Sequence, residues 1–426
     1  MFFKEDFISF IWQFRLFTSK QLSSTSGDRI EVIETGFPNR NAGPDFFNAK
    51  IKIGSTLWVG NVEIHLRSSD WSMHGHTINT AYDNVILHVV FEEDLRVVRT
   101  NGTPIHTLVV KDQIPAGLID RYLALIHAQA KFPCEPQIRS IDPLVLNSCF
   151  SRMLMERFEH KYKDVCQILQ NNKGNWDATC YQLLARSFGF KTNSIPFEML
   201  ANSIDQQLFA KYKDNPTQIE ALIFGQAGFL NGDFEDSYPR QLQTEYLFLQ
   251  KKLNLRSLDP TVWKFLRMRP ASFPTLRLAQ FAGLMIKSQR LFSSILEANG
   301  LAAVRAIFEQ LPVHSYWRRH FQFTTQGLPA STELGRRSIE SIIINSVCLL
   351  LFSYGKFVDQ PLYMDQAFSI LEQLQGENNS ITTPYKESGI KIENAFISQA
   401  LLELNKSYCS KKKCLNCGIG VKILRK

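Results

Sequence analysis

Residues 43–65 read GPDFFNAKIKIGSTLWVGNVEIH, two stretches of alternating apolar and polar residues separated by Gly54 and two small polar residues. Alternation with a period of two is typical of strands that bury one face, and a glycine-containing turn between two such stretches indicates a hairpin. The sequence therefore predicts antiparallel strands at Phe46–Ile53 and Leu57–Leu66.

The flanking sequence extends this hairpin into a sheet. Ile30–Glu34 alternates in the same way, and Val85–Phe91 is a nearly continuous apolar run, typical of a strand covered on both faces. Thr107–Val110 adds a further strand. Beyond Pro115 the apolar residues recur with the spacing of helices. We therefore predict an α+β protein in which an N-terminal mixed β-sheet domain is followed by a large all-helical domain.

Helices and a domain boundary follow from the same patterns. Helices are predicted at Phe7–Phe17, from Pro143 onward, and at 177–188, 216–230, 239–253, 275–292, 336–353, 364–375 and 392–408. The proline-rich stretch 132–136 is the expected boundary. The resulting parts are a β-rich domain at 1–132, a helical domain at 133–405 and a basic, cysteine-containing tail at 406–426.

Composition indicates the class of protein and of partner. Of the 426 residues, 44% are hydrophobic and 21% charged, which is ordinary for a globular chain. The net charge of +8 favours a nucleic-acid partner. Long apolar runs are missing and cysteines are few, so we expect a cytoplasmic protein with no membrane partner. Its oligomeric state stays open.

The hairpin carries a candidate catalytic constellation. Glu63, His65 and Arg67 share one face of their strand, because residues two apart point the same way. Asp45 begins the paired strand, and the hairpin register predicts that its carboxylate lies beside Glu63. Two converging carboxylates are what Mg²⁺ or Mn²⁺ requires, and such an ion activates water and neutralises a scissile phosphate.

Two resemblances cover this region. The chain as a whole resembles an uncharacterised bacterial family of unknown function, through residues 43–65, the segment WKFLRMRP at 263–270 and the C-terminal cysteines. Pro-Asp at the start of one strand, a tight turn and Glu-x-basic on the next strand are similar to the PD-(D/E)XK nuclease superfamily. That resemblance covers about the first quarter of the chain.

The nuclease resemblance implies a restriction-endonuclease-like core and a metal-dependent phosphodiesterase that acts on DNA or RNA. Asp45 and Glu63 would be the metal ligands. His65 stands where that superfamily has Lys, so Arg67 is the alternative cation. Glu34, or Glu31 on the same strand, is a candidate for a further acid upstream.

Two alternative functions stay open. A non-catalytic nucleic-acid-binding or scaffold protein on a degenerate nuclease core is favoured by the missing Lys. A transition-metal enzyme of cupin-like type would instead use Glu63, His65, His74 and His76 inside a small barrel. From the sequence we prefer a surface loop for His74 and His76, and a core position for His88.

The C-terminus carries Cys409, Cys414 and Cys417 in the spacing Cys-x4-Cys-x2-Cys. It resembles the iron–sulfur loop of base-excision DNA glycosylases, although the first gap is shorter and a fourth cysteine is missing. Zn²⁺ or an iron–sulfur cluster would need a ligand from elsewhere, such as Cys134. The alternative is three free thiols whose pKa neighbouring lysines lower.

Two basic segments are candidates for phosphate contact. Arginines and aromatics precede a predicted helix start at Pro274, and a helix N-terminus with nearby arginines suits phosphate. The alternatives are a packed interface loop and a solvated basic face. The candidate nucleic-acid-binding residues are Arg267, Arg269, Arg277, Lys411, Lys412 and Lys413.

Overall fold

The computed structural model describes residues 3–19, 21–39, 41–288 and 290–426. The chain forms two compact units: Met1–Ser151 with Thr383–Ile390 and Leu402–Lys426, and Arg152–Thr382 with Lys391–Leu401. The C-terminal residues thus belong to the first unit and do not form a separate tail. The last helix, Gly418–Leu424, buries its apolar residues there.

A seven-stranded mixed sheet forms the centre of the first unit and confirms the mixed sheet predicted from the sequence. Its strands are β1 Leu22–Ser23, β2 Arg29–Glu34, β3 Phe37–Pro38, β4 Phe46–Ile53, β5 Thr56–Arg67, β6 Val85–Glu92 and β7 His106–Val109. The order is β1-β2-β4-β5-β6-β7, with β3 also paired to β4. β5 is antiparallel to β4 and parallel to β6, so it is the strand at which the direction of pairing changes.

Special backbone positions shape the β4–β5 hairpin. Gly54, in the turn, has a φ of +58°, which glycine adopts without strain. Asn48 has a φ of +57°, and the register shifts between Phe46 and Ala49. An extra residue therefore bulges from β4 and bends the strand where Asp45 enters it.

A crossover connects β5 to the parallel strand β6, because parallel neighbours cannot be joined by a tight turn. It occupies residues 68–84 and contains a short helix, Asp70–Met73, and two 3₁₀ turns, His76–Ile78 and Thr80–Tyr82. Trp71, in the short helix, has a fully buried side chain. The helix Glu5–Gln13 also packs on β5 and β6 through its apolar side.

Helices dominate after residue 140, as the change of period predicts. In chain order the α-helices are α1 Glu5–Gln13, α2 Asp70–Met73, α3 Leu118–Ile126, α4 Pro143–Asn171, α5 Trp176–Phe188, α6 Phe190–Ser203, α7 Gln207–Lys211, α8 Pro216–Gln226, α9 Ser237–Leu253, α10 Pro274–Lys287, α11 Leu291–Glu297, α12 Gly300–Phe308, α13 Arg336–Ile342, α14 Cys348–Phe357, α15 Pro361–Gln373, α16 Thr382–Glu387, α17 Ala395–Leu404 and α18 Gly418–Leu424.

A short hairpin qualifies the all-helical prediction for the second part. Its strands are β8 His320–Gln322 and β9 Thr325–Gln326, and they interrupt the helices where aromatic residues alternate and β-branched residues follow.

One helical segment, Arg336–Phe357, is long and apolar enough to cross a membrane by length and composition alone. Since 72% of its most apolar window is buried in the fold, packing accounts for that composition.

Candidate metal centre

Two carboxylates from neighbouring strands meet where β4 begins. The Asp45 amide donates a hydrogen bond to Glu63 Oε2 at 3.1 Å, and the Ile64 amide donates to Asp45 Oδ2 at 3.0 Å. Each carboxylate thus binds the backbone of the other strand, which fixes the two side chains beside each other. Glu63 is 5% exposed and Asp45 is partly buried, so Glu63 does not belong to the solvent-facing stripe that strand alternation alone would allow.

Burial changes the ionisation of both carboxyl groups. Desolvation raises the pKa of Asp45 to about 6, although the hydrogen bond from the Ile64 amide acts in the opposite direction and lowers this pKa. Desolvation, and then the charge of Asp45, raise the pKa of Glu63 to about 8. A bound cation would stabilise the ionised form of both groups, because it replaces the solvation that burial removes.

His65, two residues beyond Glu63 on β5, is the centre of a cluster of imidazoles. Its Nε2 lies 3.1 Å from His74 Nδ1, and its Nδ1 lies 2.8 Å from His88 Nε2. His88 reaches the site because the parallel register pairs it with Glu63, whereas His74 comes from the crossover. The sheet and the connection above it therefore each supply ring nitrogens.

His76 completes the cluster from the crossover. Its Nε2 lies 3.2 Å from Glu63 Oε1, and His65 Nε2 lies 3.6 Å from the same oxygen. The His76 ring stacks on Tyr82 with 3.7 Å between centroids. Both ring nitrogens of His76 are buried, and within the described part of the chain neither makes a hydrogen bond. Buried polar atoms normally have partners, so these nitrogens call for one.

The buried imidazoles are neutral. Desolvation first, and neighbouring histidines second, lower the pKa of His65 to about 2, of His76 to about 4 and of His88 to about 3. A neutral imidazole keeps the lone pair that a metal ion needs. If His65 Nδ1–H donates to His88 Nε2, its Nε2 is free to bind a metal, which is the tautomer that ligating histidines usually adopt.

The spacing of these atoms fits one ion. One ligand atom each from His65, His74 and His76 all lie within 4.8 Å of one another. Tetrahedral coordination with metal–nitrogen bonds of about 2.0–2.1 Å places ligand atoms about 3.3 Å apart. The distances of 3.1, 3.2 and 3.6 Å around His65 and Glu63 are close to that value. His74 is exposed, so the centre opens to solvent on its side.

A hydrogen-bonded turn holds the start of the crossover in place. Asp94 Oδ1 accepts from the Ser68 hydroxyl at 3.0 Å and from the Ser69 amide at 2.9 Å. Asp70 Oδ2 accepts from the Arg67 amide at 2.9 Å. These bonds explain the run of small polar residues at the end of β5, and they aim the chain back over the sheet.

Residues 5–380 match the family described as "Protein of unknown function (DUF2851)". The chain belongs to this family. No curated protein and no solved structure matches it. The match ends before the C-terminal cysteines. Membership in DUF2851 brings no assigned activity, so the function of this member is argued from the geometry of the metal centre.

The structure places one histidine, His76, differently from the sequence prediction. The surface loop preferred for His74 and His76 is wrong for His76, which is 7% exposed and faces Glu63. Gly75, between them, has a φ of +75° and turns the chain so that the two rings approach His65. His88 occupies the core position expected of it and also bonds His65.

The structure adds one acidic residue, Glu5, that the sequence did not indicate, and it places two predicted site residues, Glu34 and Arg67, away from the centre. Glu5, on α1, lies in electrostatic range of His74 and Asp45; desolvation, the largest cause, raises its pKa. Its signal in the sequence was an acid inside an apolar segment. Glu34 instead pairs with Lys50 at 2.8 Å on the exposed edge of β2 and β4, and Arg67 is exposed at the end of β5.

The candidate phosphate contacts differ in accessibility. Arg277 is 8% exposed, lies over the Phe190 ring and donates to Gln280 and Ser338, which removes it from the accessible candidates. The other candidate residues have exposed side chains. These are Arg267, Arg269, Lys411, Lys412 and Lys413.

The metal-binding cysteines predicted at the C-terminus lie in the first unit. Cys414 and Cys417 are buried, Cys409 is partly buried, and none of the three is in a disulfide. They do not contribute to the imidazole–carboxylate centre, whose ligand atoms come from β5 and the crossover.

Proposed function

We propose that this protein is a metal-dependent phosphodiesterase that cleaves nucleic acid, with one first-row divalent ion held by His65, His74, His76 and Glu63. The convergence of three imidazoles and a buried carboxylate on one point carries the proposal. His76 Nε2 is buried and lies 3.2 Å from Glu63 Oε1, which supports the proposal, since one ion would bind both atoms.

The three imidazoles favour Zn²⁺ over Mg²⁺, while Glu63 supplies the carboxylate that suits Mn²⁺. Mg²⁺ prefers oxygen ligands and keeps several waters, whereas imidazole suits later first-row ions. Three of the four proposed ligands are imidazoles. This departs from the oxygen-only site that Asp45 and Glu63 alone would form. It also gives His65 a different role, because its buried ring faces other imidazoles and so acts as a ligand and not as a free cation.

The site offers the groups that hydrolysis needs. A divalent ion there supplies Lewis acidity and lowers the pKa of a bound water. Asp45 lies beside the ligand Glu63, and its Oδ1 would accept the proton of the attacking water. The water oxygen would attack phosphorus and the bond to the leaving oxygen would break. The leaving oxygen would take a proton from solvent, and Asp45 would return its proton to solvent. The exposed edge of His74 is the side from which substrate would approach.

The choice of a phosphodiester rests on the first part of the chain and on charge. Asp45 at the start of β4, with Glu63 and His65 on the adjacent strand, supports the proposal of a restriction-endonuclease-like core. The net charge of +8 and exposed Lys411, Lys412 and Lys413 support a polyanionic substrate.

A cleavage assay tests the proposal. Protein stripped of metal is given Zn²⁺, Mn²⁺ or Mg²⁺ and incubated with single- and double-stranded DNA and RNA, and with a small bis-aryl phosphodiester. We expect cleavage with Zn²⁺ or Mn²⁺, lost in His74→Ala. His127→Ala is the matched control, because His127 is an exposed histidine of the same unit.

The competing function is a nucleic-acid-binding scaffold that keeps a structural metal. The burial of Glu63 and His65 favours it, because structural sites are closed to solvent. One stoichiometric metal ion that is lost in His74→Ala, together with nucleic-acid binding but no cleavage of any of the five substrates, would establish the scaffold and reject the phosphodiesterase.

A further inference from the structure

Four cysteines from distant parts of the sequence gather in the first unit. Cys134 precedes a 3₁₀ helix, Glu135–Ser140, and the other three surround the turn before α18. None of the four is in a disulfide. Cys134, Cys414 and Cys417 are 7%, 7% and 6% exposed, and Cys409 is partly buried.

Every pair among these four thiols is in electrostatic range. Cys134 interacts with the other three, Cys409 with Cys414 and Cys417, and Cys414 with Cys417. The four thiols thus lie in one region of the first unit. Burial keeps these metal-free thiols protonated, with the pKa of Cys409 and Cys414 raised to about 12 by desolvation first and neighbouring thiols next.

The local chain is wound tightly to bring the sulfurs together. A π-helical turn, Asn405–Cys409, leads into a loop in which the Lys412 amide donates to the Cys409 carbonyl at 3.1 Å. A Cβ on Gly420 would lie 2.2 Å from the Cys414 carbonyl oxygen, so only glycine allows α18 to approach the loop this closely. Only glycine at position 420 therefore permits the close packing that places Cys414 and Cys417 beside Cys409.

Four cysteine thiolates are the ligand set of two kinds of centre. A single Zn²⁺ ion is bound through zinc–sulfur bonds of about 2.3 Å, whereas an iron–sulfur cubane is bound by one cysteine at each iron. Among the described residues, the side chains close enough together for a single ion are His65, His74 and His76, and this group does not include the cysteines. This favours the larger inorganic core for the four thiols.

We propose that Cys134, Cys409, Cys414 and Cys417 ligate a 4Fe–4S cluster that ties the C-terminal segment to the N-terminal unit. Each thiol loses its proton on ligation, and the resulting negative charge lies beside Lys412, which is in range of Cys414. The Tyr385 hydroxyl hydrogen-bonds the Cys409 sulfur, and its ring stacks on Phe132 at 4.2 Å. The cluster does not depend on the proposed cleavage activity.

Anaerobic purification of the full chain tests this site. We expect about four irons and four sulfides per chain, after reconstitution if necessary, with the broad visible absorption of an iron–sulfur chromophore. Cys134→Ser and Cys409→Ser should each lose at least half of the iron. Cys166→Ser should keep all of it, because Cys166 lies outside the cluster. Native mass spectrometry of the wild type gives the same answer if a serine variant fails to fold.

Three results would overturn the proposal. The first is a folded wild-type chain that takes up neither iron nor sulfide on anaerobic reconstitution and keeps four reactive thiols. The second is stoichiometric zinc that disappears in Cys409→Ser while iron is absent from the wild type. The third is retention of the full iron content in both serine variants, which would exclude these cysteines as ligands.

Discussion

The first unit contains two clusters of side chains that we propose bind metal, and they are built in opposite ways. The imidazole–carboxylate centre takes its ligands from residues 63–76, on one strand and the connection that follows it. The cysteine cluster joins Cys134 to residues 409–417, near the other end of the chain. The sheet positions the ligands of the first centre, whereas a metal bound by the second cluster would connect segments that are distant in the sequence.

The chemistry of the ligands follows the same division. Nitrogen and oxygen ligands with one exposed member, His74, suit an ion that exchanges water and contacts substrate. Four sulfurs that are mostly buried suit a core that is retained for the life of the protein. The comparison therefore predicts that activity and structural integrity are lost through different residues.

The largest expected effect is on catalysis at the sheet. Glu63→Gln should lower metal-dependent cleavage by about 10³-fold, because several kcal/mol of Lewis-acid stabilisation are lost and about 1.4 kcal/mol corresponds to each factor of ten. Kinetics at saturating metal, with circular dichroism as the check on folding, measures it. Iron content should not change. Full activity in Glu63→Gln would remove Glu63 from the centre.

The next effect is on stability through the sulfurs. Cys409→Ser should lower the Tm of the anaerobic protein by about 10 °C, because ligation free energy is also folding free energy. Differential scanning calorimetry measures the shift, with Cys166→Ser as the control. If Cys409→Ser melts like the wild type, the cluster does not hold the C-terminal segment, and the contrast between the two regions fails.

The sequence predicts the sheet well because its signals are local. Alternation placed Phe46–Ile53 as the structure has it, and the second strand of the hairpin within a residue at each end. The same register argument placed Asp45 beside Glu63. The bulge at Asn48 left no signal in the alternation, since it depends on a backbone conformation that many residues adopt only under tertiary constraint.

The rest of the site depends on how the backbone of residues 68–84 folds, and hydrophobic periodicity does not predict that. Residues 68–84 contain no long apolar repeat, so the sequence alone does not say that His76 folds back onto Glu63. Gly75 was the available signal. Cys134 is a similar case, since cysteine counting calls for a fourth ligand but only the fold brings that residue to the C-terminal three.

A smaller effect is expected from a residue that touches a ligand but not the metal. His88→Gln should weaken metal affinity about 10–100-fold, the range for partners of ligating histidines. The reason is that His88 Nε2 lies 2.8 Å from His65 Nδ1 and orients that ring. Competition with a fluorescent chelator measures the affinity. Cleavage at saturating metal should recover in the variant, whereas a direct ligand would not allow recovery.

The smallest effect tests the sulfur cluster without dismantling it. Tyr385→Phe removes the hydroxyl that hydrogen-bonds Cys409 and keeps the ring that stacks on Phe132. Hydrogen bonds to ligand sulfurs stabilise the more negative, reduced cluster, so the reduction potential should fall. A bond worth about 1 kcal/mol corresponds to about 40 mV for one electron. Potentiometric titration followed by electron paramagnetic resonance measures the change. Tyr82→Phe is the matched control, because Tyr82 stacks on His76 at the other centre and should leave the potential unchanged. Equal potentials in wild type and Tyr385→Phe would place the Tyr385 hydroxyl outside the cluster's hydrogen-bonding shell. A shift in Tyr82→Phe would mean that the two centres are coupled and not separate.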